Sequence, residues 1–168
     1  PELTASYTGL VNPDTAASLD TPVNLSTTAT AASNVGTYPI TIGGASDANY
    51  TIAFEPGTLT VSKAPLTIRA ENKSKAYGAS LPVLTASYTG FVNQDTAASL
   101  DTPVSLSTTA TASSNAGTYP ITPSGAADAN YTIAFEPGTL TVTQTAVTIR
   151  AEDKSKAYGA ALPALTAS

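Results

Sequence analysis

The side chains able to do chemistry in this chain are hydroxyls, lysines and carboxylates, since its 168 residues include no histidine, cysteine, methionine or tryptophan. Nucleophilic catalysis needs an activated nucleophile with a base beside it. Ser74 and Ser155 lie between lysines, in Lys73-Ser74-Lys75 and Lys154-Ser155-Lys156, without forming a Ser-x-x-Lys motif. The period-two spacing of those lysines assigns them to the solvated face of a strand. The carboxylate pairs Asp14/Asp20 and Asp95/Asp101 flank two short helical segments. Capping and loop roles account for them better than the paired acid–base work of a glycosidase. No residue is assigned a catalytic, cofactor-binding or metal-binding role, and the chain reads as a non-enzyme.

Calcium is the one metal whose ligand chemistry the composition offers. Asp95, Asp101 and Asp128, with Asn93 and Asn130, are hard oxygen donors. Their spacing matches neither an EF-hand nor an RTX loop, and Asx turns explain them more simply. A Lys–Asn or Lys–Asp isopeptide bond would need a buried lysine beside an asparagine and a carboxylate, whereas alternation turns these lysines outward. Asn24-Leu25-Ser26, Asn49-Tyr50-Thr51, Asn72-Lys73-Ser74 and Asn130-Tyr131-Thr132 are formal glycosylation sequons. Tyr7, Tyr38, Tyr88 and Tyr119 alternate with polar residues, which favours buried tyrosines over an aromatic sugar-binding strip.

Composition narrows the partners. Charged residues make up 11% of the chain and the formal charge is −5, with seven basic residues and no basic run. Nucleic-acid recognition needs clustered Lys and Arg, so it is excluded. No apolar stretch reaches the length of a membrane span. The 42% hydrophobic content, with so little charge, is that of a folded chain rather than a disordered one.

These residues recur because the whole sequence recurs. Pro1–Gly9, PELTASYTG, returns as Pro82–Gly90, PVLTASYTG, and Pro163–Ser168, PALTAS, opens a third copy, a period of 81 residues. The first two copies are identical at 65 of 81 positions. A long period with near-identical copies marks tandem domains. Five consecutive differences set Ser62-Lys63-Ala64-Pro65-Leu66 against Thr143-Gln144-Thr145-Ala146-Val147, as expected of a linker. The folding frame is therefore shifted from the numbering frame by about 63 residues. The expected domains are 1–62, a repeat lacking its first strand; 63–143, a complete repeat; and 144–168, the opening strand region of a third. Starting without Met inside a repeat, the sequence reads as a window on a longer array.

Period-two alternation predicts strands over Leu66–Glu71, Leu84–Tyr88, Val104–Leu106, Tyr119–Ile121, Tyr131–Phe135 and Leu140–Val142. Glu136-Pro137-Gly138-Thr139, like Glu55-Pro56-Gly57-Thr58, is expected to form a type II turn joining two strands as a hairpin. Asn93–Leu100 predicts one or two helical turns, with Asp95 as the cap. The fold class is mainly β: tandem small domains with one short helical turn, β-grasp-like, with an Ig-like β-sandwich as the alternative.

Tyr77-Gly78-Ala79 and Tyr158-Gly159-Ala160 after a Lys-rich strand, Ser87–Thr96, Ala116–Thr122 and Ala129–Val142 form a distinctive set. In these residues the chain resembles the bacterial surface repeats known as MBG domains, of the YGX type. The resemblance implies a module of long, adhesin-like proteins, bacterial and extracellular or on the cell surface, and it brings no catalytic residues. The expected function is a non-catalytic spacer or stalk. The alternatives are a filament subunit assembling by strand complementation between chains, and a multivalent module for a glycan or host protein. The expected partners are neighbouring repeats of the same protein, with self-association into a fibre as the further case.

Overall fold

The computed structural model describes residues 1–164, so Leu165–Ser168, the end of the third copy's opening, lie outside the described residues. Ten strands follow in order: β1 (Asn24–Thr27), β2 (Gly36–Gly43), β3 (Gly57–Val61), β4 (Ala64–Ala70), β5 (Lys73–Ala76), β6 (Ala86–Thr89), β7 (Ser105–Thr108), β8 (Gly117–Ser124), β9 (Tyr131–Glu136) and β10 (Gly138–Thr143). They form three sheets, ordered β1-β2-β3, β6-β4-β9 and β5-β10-β8-β7. The mainly β character expected from alternation is what the chain adopts.

The stretch 63–143 holds two of those sheets, and they share a core. Ala70 of β4 packs with Ile121 of β8 and Leu140 of β10, which belong to the other sheet. That is sandwich packing, as in the second of the two arrangements the sequence left open. Both sheets are nonetheless mixed: β4 runs parallel to β9 and antiparallel to β6, while β10 runs parallel to β5 and antiparallel to β8. The short helical piece is a single 3-10 turn at Ala97–Ser99, repeated at Ala16–Ser18.

β4 is the centre of its sheet because its residues suit that place. Leu66, Ile68 and Ala70 are buried at 1%, 0% and 0% exposure, while Thr67 between them is half-buried and Arg69 is exposed. Burying Leu66 and Ile68 contributes about 1.5–3 kcal/mol each. Around them, Tyr88, Phe91 and Tyr131 form a ladder, stacked and then edge-on, with ring centroids 5.6 Å apart at each step. Lys63, directly ahead of β4, reaches the Asp128 carbonyl at 3.4 Å.

The Glu-Pro-Gly-Thr segment departs from expectation. β9 and β10 do not pair; they lie in different sheets, so Pro137 marks a strand that crosses from one sheet to the other. Gly138 has no positive φ, which a type II turn would require at that position. Its role is close approach: a Cβ there would collide with the Ala70 carbonyl oxygen. Proline and glycine signalled a backbone corner, but alternation alone does not say whether the corner returns the chain to its partner strand or to the facing sheet.

Residues 1–62 supply the control. Ala5–Thr8 and Tyr50–Glu55 have the same sequence as β6 and β9, yet neither forms a strand. Both β6 and β9 take their ladder bonds from β4, and residues 1–62 contain no counterpart of β4 or β5. An extended segment without a hydrogen-bonding neighbour has nothing to hold it as a strand. The same gap empties the core, since every buried residue of the described chain falls between Leu66 and Val142. Only β1, β2 and β3, which do not depend on β4 for their pairing, keep their sheet.

The paired glycines test this assignment. Gly57, the counterpart of Gly138, would place a Cβ 3.6 Å from Ile40 Cβ, an ordinary contact. Gly138→Ala is expected to destabilise the chain by about 1–3 kcal/mol through overpacking against backbone. Gly57→Ala should change stability by less than about 0.5 kcal/mol. Urea unfolding of the two variants checks it, and equal losses would contradict the role given to Gly138.

Candidate functional site

The carboxylates singled out by their chemistry do not converge. Asp101 accepts from the Ala129 amide at 2.9 Å, and Asp128 closes an Asx turn on the Asn130 amide at 2.7 Å. Asp20 and Asp47 repeat these bonds to Ala48 and Asn49. Asp95 does not cap the 3-10 turn. Thr96 is the N-cap, and its hydroxyl oxygen accepts from the Ala98 amide at 3.3 Å. Asp95 instead accepts from the Tyr131 hydroxyl at 2.7 Å. Asn93 occupies a left-handed turn position at φ 53°. Among the described residues no three acidic, histidine or cysteine side chains gather as a metal site would require.

Tyr131 is buried at 3% exposure, and its oxygen also accepts from the Val92 amide at 3.0 Å. The loop carrying the 3-10 turn is thus tied by one phenol to the start of β9. Burial and then the Asp95 bond hold the Tyr131 proton on, raising its pKa above the ordinary phenol value. Tyr50 repeats the device with Asp14 at 2.6 Å and the Val11 amide at 3.0 Å, and the Asp14 bond is the first cause of its raised pKa. Tyr88 and Tyr119 are partly buried against the core, as the alternation suggested, but Tyr7 is 40% exposed because the strand it would pack against is missing beside it.

The lysines do not all face solvent. Lys75 is buried at 7% exposure, and its ammonium donates to the carbonyls of Ala79 at 3.0 Å and Ala112 at 2.9 Å. Alternation placed it outward because a lysine reads as polar. Its aliphatic stem lies inside and the charged tip is satisfied by backbone. With two carbonyls as partners and no side-chain carboxylate or asparagine bonded to it, Lys75 lacks the chemistry of an isopeptide bond.

A groove of about 590 Å³ lies in residues 1–62. Leu19, Tyr50 and Ile52 line it. Their counterparts Leu100, Tyr131 and Ile133 are the side chains packed with Leu66 and Ile68 of β4. The groove therefore corresponds to the space that β4 fills in residues 63–143. Nothing in the composition pointed to it; the shifted repeat frame was the only signal.

A second surface links the stretches on either side of Lys63. The Asn130 side chain accepts from the Val35 amide at 2.9 Å and donates to the Asn34 side-chain oxygen at 3.2 Å. The Asn130 carbonyl accepts from Ala64 at 2.9 Å, so one residue ties the preceding stretch to the start of β4. Its counterpart Asn49 is exposed.

The family model for the MBG domain (YGX type) matches residues 1–60 and 66–141. The chain belongs to the MBG family. The tandem organisation read from the 81-residue period is thus carried by two matches to one repeat domain. Comparison with curated proteins and with solved structures gives no match. The YGX motif of the MBG repeat is the turn after β5: Gly78 sits at φ 80°, and the Ala79 amide donates to Ala76 at 3.1 Å. Ala79 also offers one of the two carbonyls that hold Lys75, so the motif closes over the buried ammonium. No helix among the described residues is long and apolar enough to cross a membrane.

Tyr131→Phe should destabilise the chain by about 1–3 kcal/mol, because it strands a carboxylate and an amide. Because the folded-state pKa is raised, the tyrosine's contribution is complete below the unfolded value near pH ~10 and fades as pH climbs through the folded value. The wild-type chain should therefore lose stability above pH ~10, and the phenylalanine variant should show a shallower loss. Urea midpoints between pH 7 and 11 measure both slopes; parallel slopes would contradict the assignment.

Proposed function

We propose that the chain is a non-catalytic spacer from the stalk of a secreted or cell-surface, adhesin-like bacterial protein. Its folding units run 63–143 for the complete repeat, with 1–62 a repeat lacking its opening strands and 144–168 the opening of a third. The single observation that carries this reading is the Asn130 joint. Most of what varies between the copies is incidental, but Asn34, Asn115, Asn49 and Asn130 recur in register, so each junction of an array can be built from the same pair. A repeated, hydrogen-bonded joint fixes how one repeat follows the next, which a spacer needs and an isolated binding module does not.

Other features agree with that role. The surface is rich in Ser and Thr with little charge, and the exposed ion pairs, such as Lys73–Glu71 at 3.1 Å, add little specificity. The carboxylates and the tyrosines that might have built a metal or sugar site hold loops instead. Membership of the MBG family supports a cell-surface location, with neighbouring repeats as the partners this reading assigns.

Asn130→Ala should leave each repeat folded, at a cost of about 1 kcal/mol, while loosening the junction. Small-angle scattering from arrays of two, four and six copies of residues 63–143 measures the effect. Maximum dimension should grow linearly with copy number in the parent array and sublinearly in the variant. Sublinear growth of the parent would contradict a spacer.

A further inference from the structure

We propose that the complete repeat is a tension clamp: pulled by its neighbours, it loads one continuous parallel ribbon in shear. β4 pairs with β9 in parallel, from Ala64 beside Tyr131 to Arg69 beside Glu136. β5 pairs with β10 in parallel, from Lys73 beside Leu140 to Ala76 beside Thr143. The two pairs lie in different sheets, yet partners differ by 67 positions in both. Both stretches therefore cross between the sheets together and keep their register. Ala64–Ala76 runs beside Tyr131–Thr143 as one bent ribbon.

The corner of the ribbon is stitched. Its ladder lapses at Pro137, which has no amide to donate. Across the gap the Thr139 amide donates to the Asn72 side-chain oxygen at 2.8 Å, again 67 positions apart. Gly138 lets the two stretches close here, since a Cβ would meet the Ala70 carbonyl. Both ends are fastened too. The Ala64 amide donates to the Asn130 carbonyl at 2.9 Å, and the Tyr77 amide to the Thr143 carbonyl at 2.9 Å. The Thr143 hydroxyl adds a bond to the Lys75 carbonyl at 3.3 Å.

The clamp rests on the spacer reading for the source of its load, which a stalk held at both ends would carry. In a tandem array the chain enters this repeat at Lys63 and leaves it at Gln144. Those points lie at opposite ends of the ribbon, one on each of its two stretches. Pulling them apart slides Ala64–Ala76 along Tyr131–Thr143, so the ladder bonds must fail together rather than in turn. Each bond is worth little alone, and the number loaded at once sets the barrier. Residues 77–130, including β6, β7 and β8, lie outside that load path.

Because the chain has no cysteine, two introduced thiols define the pulling points for single-molecule force measurements on the full chain. Ser62→Cys with Gln144→Cys loads the ribbon in shear. Ser62→Cys with Ala129→Cys pulls neighbouring strand starts apart and peels it from one end. Ala79→Cys with Gln144→Cys peels it from the other. All four positions are exposed, and circular dichroism and urea midpoints matching the parent establish that each variant folds. At one constant force the sheared variant should outlast both peeled ones by at least about 100-fold, because peeling breaks one bond at a time. Asn72→Ala should shorten the sheared lifetime roughly fivefold, the loss of one net hydrogen bond, and leave the variant peeled from Ala64 unchanged. Equal lifetimes in sheared and peeled variants would overturn the clamp, as would an equal loss to Asn72→Ala in both geometries. Neither result touches the spacer reading, which the dimensions of the arrays decide.

Discussion

The pairing of β4 with two neighbours at once is the interaction on which the rest of this structure depends. β6 and β9 meet no other strand in their sheet, so both exist as strands only while β4 lies between them. β4 also supplies the side chains that close the core, through Leu66 and Ile68 toward one cluster and Ala70 toward the other. The chain displays this dependence internally. With β4 present, residues 131–136 form a strand and Tyr131 is buried; without it, the same six residues at 50–55 do not form one. Local propensity is identical in the two places, so tertiary pairing decides the outcome.

From that constraint the functional reading follows. A repeat whose first strand is the middle of a sheet must be joined to its predecessor just ahead of that strand, and Lys63 and Asn130 stand at that junction. The linker is thus held rather than free, with Asn130 bonding to Asn34 and Val35 on one side and Ala64 on the other.

Much of this was legible in the sequence, for identifiable reasons. Leu66, Ile68 and Ala70 alternate with polar residues, and β4 lies where that pattern put it. The five clustered differences at 62–66 fall at the start of β4, between the two stretches that match the repeat family. Sheet assignment was not readable, because period two reports which face a side chain takes and not which strand lies beside it; hence Glu-Pro-Gly-Thr looked like a hairpin and is a crossing between sheets. Lys75 was misplaced because alternation treats an amphipathic chain as wholly polar. Asp95 was misplaced because a carboxylate beside a helical turn resembles a cap, and only the fold brings Tyr131 to it across 36 residues. The groove was not visible in any residue, since it consists of ordinary core side chains whose partner is elsewhere.

Amide hydrogen exchange on the dilute full chain tests the central claim most directly, because it compares identical peptides within one molecule. If β4 organises its neighbours, the amides of residues 131–136 exchange more slowly than those of 50–55 by at least about 100-fold. The same should hold for 86–89 against 5–8. Equal protection in the two members of each pair would mean that these segments form their strands without β4, and would contradict the account.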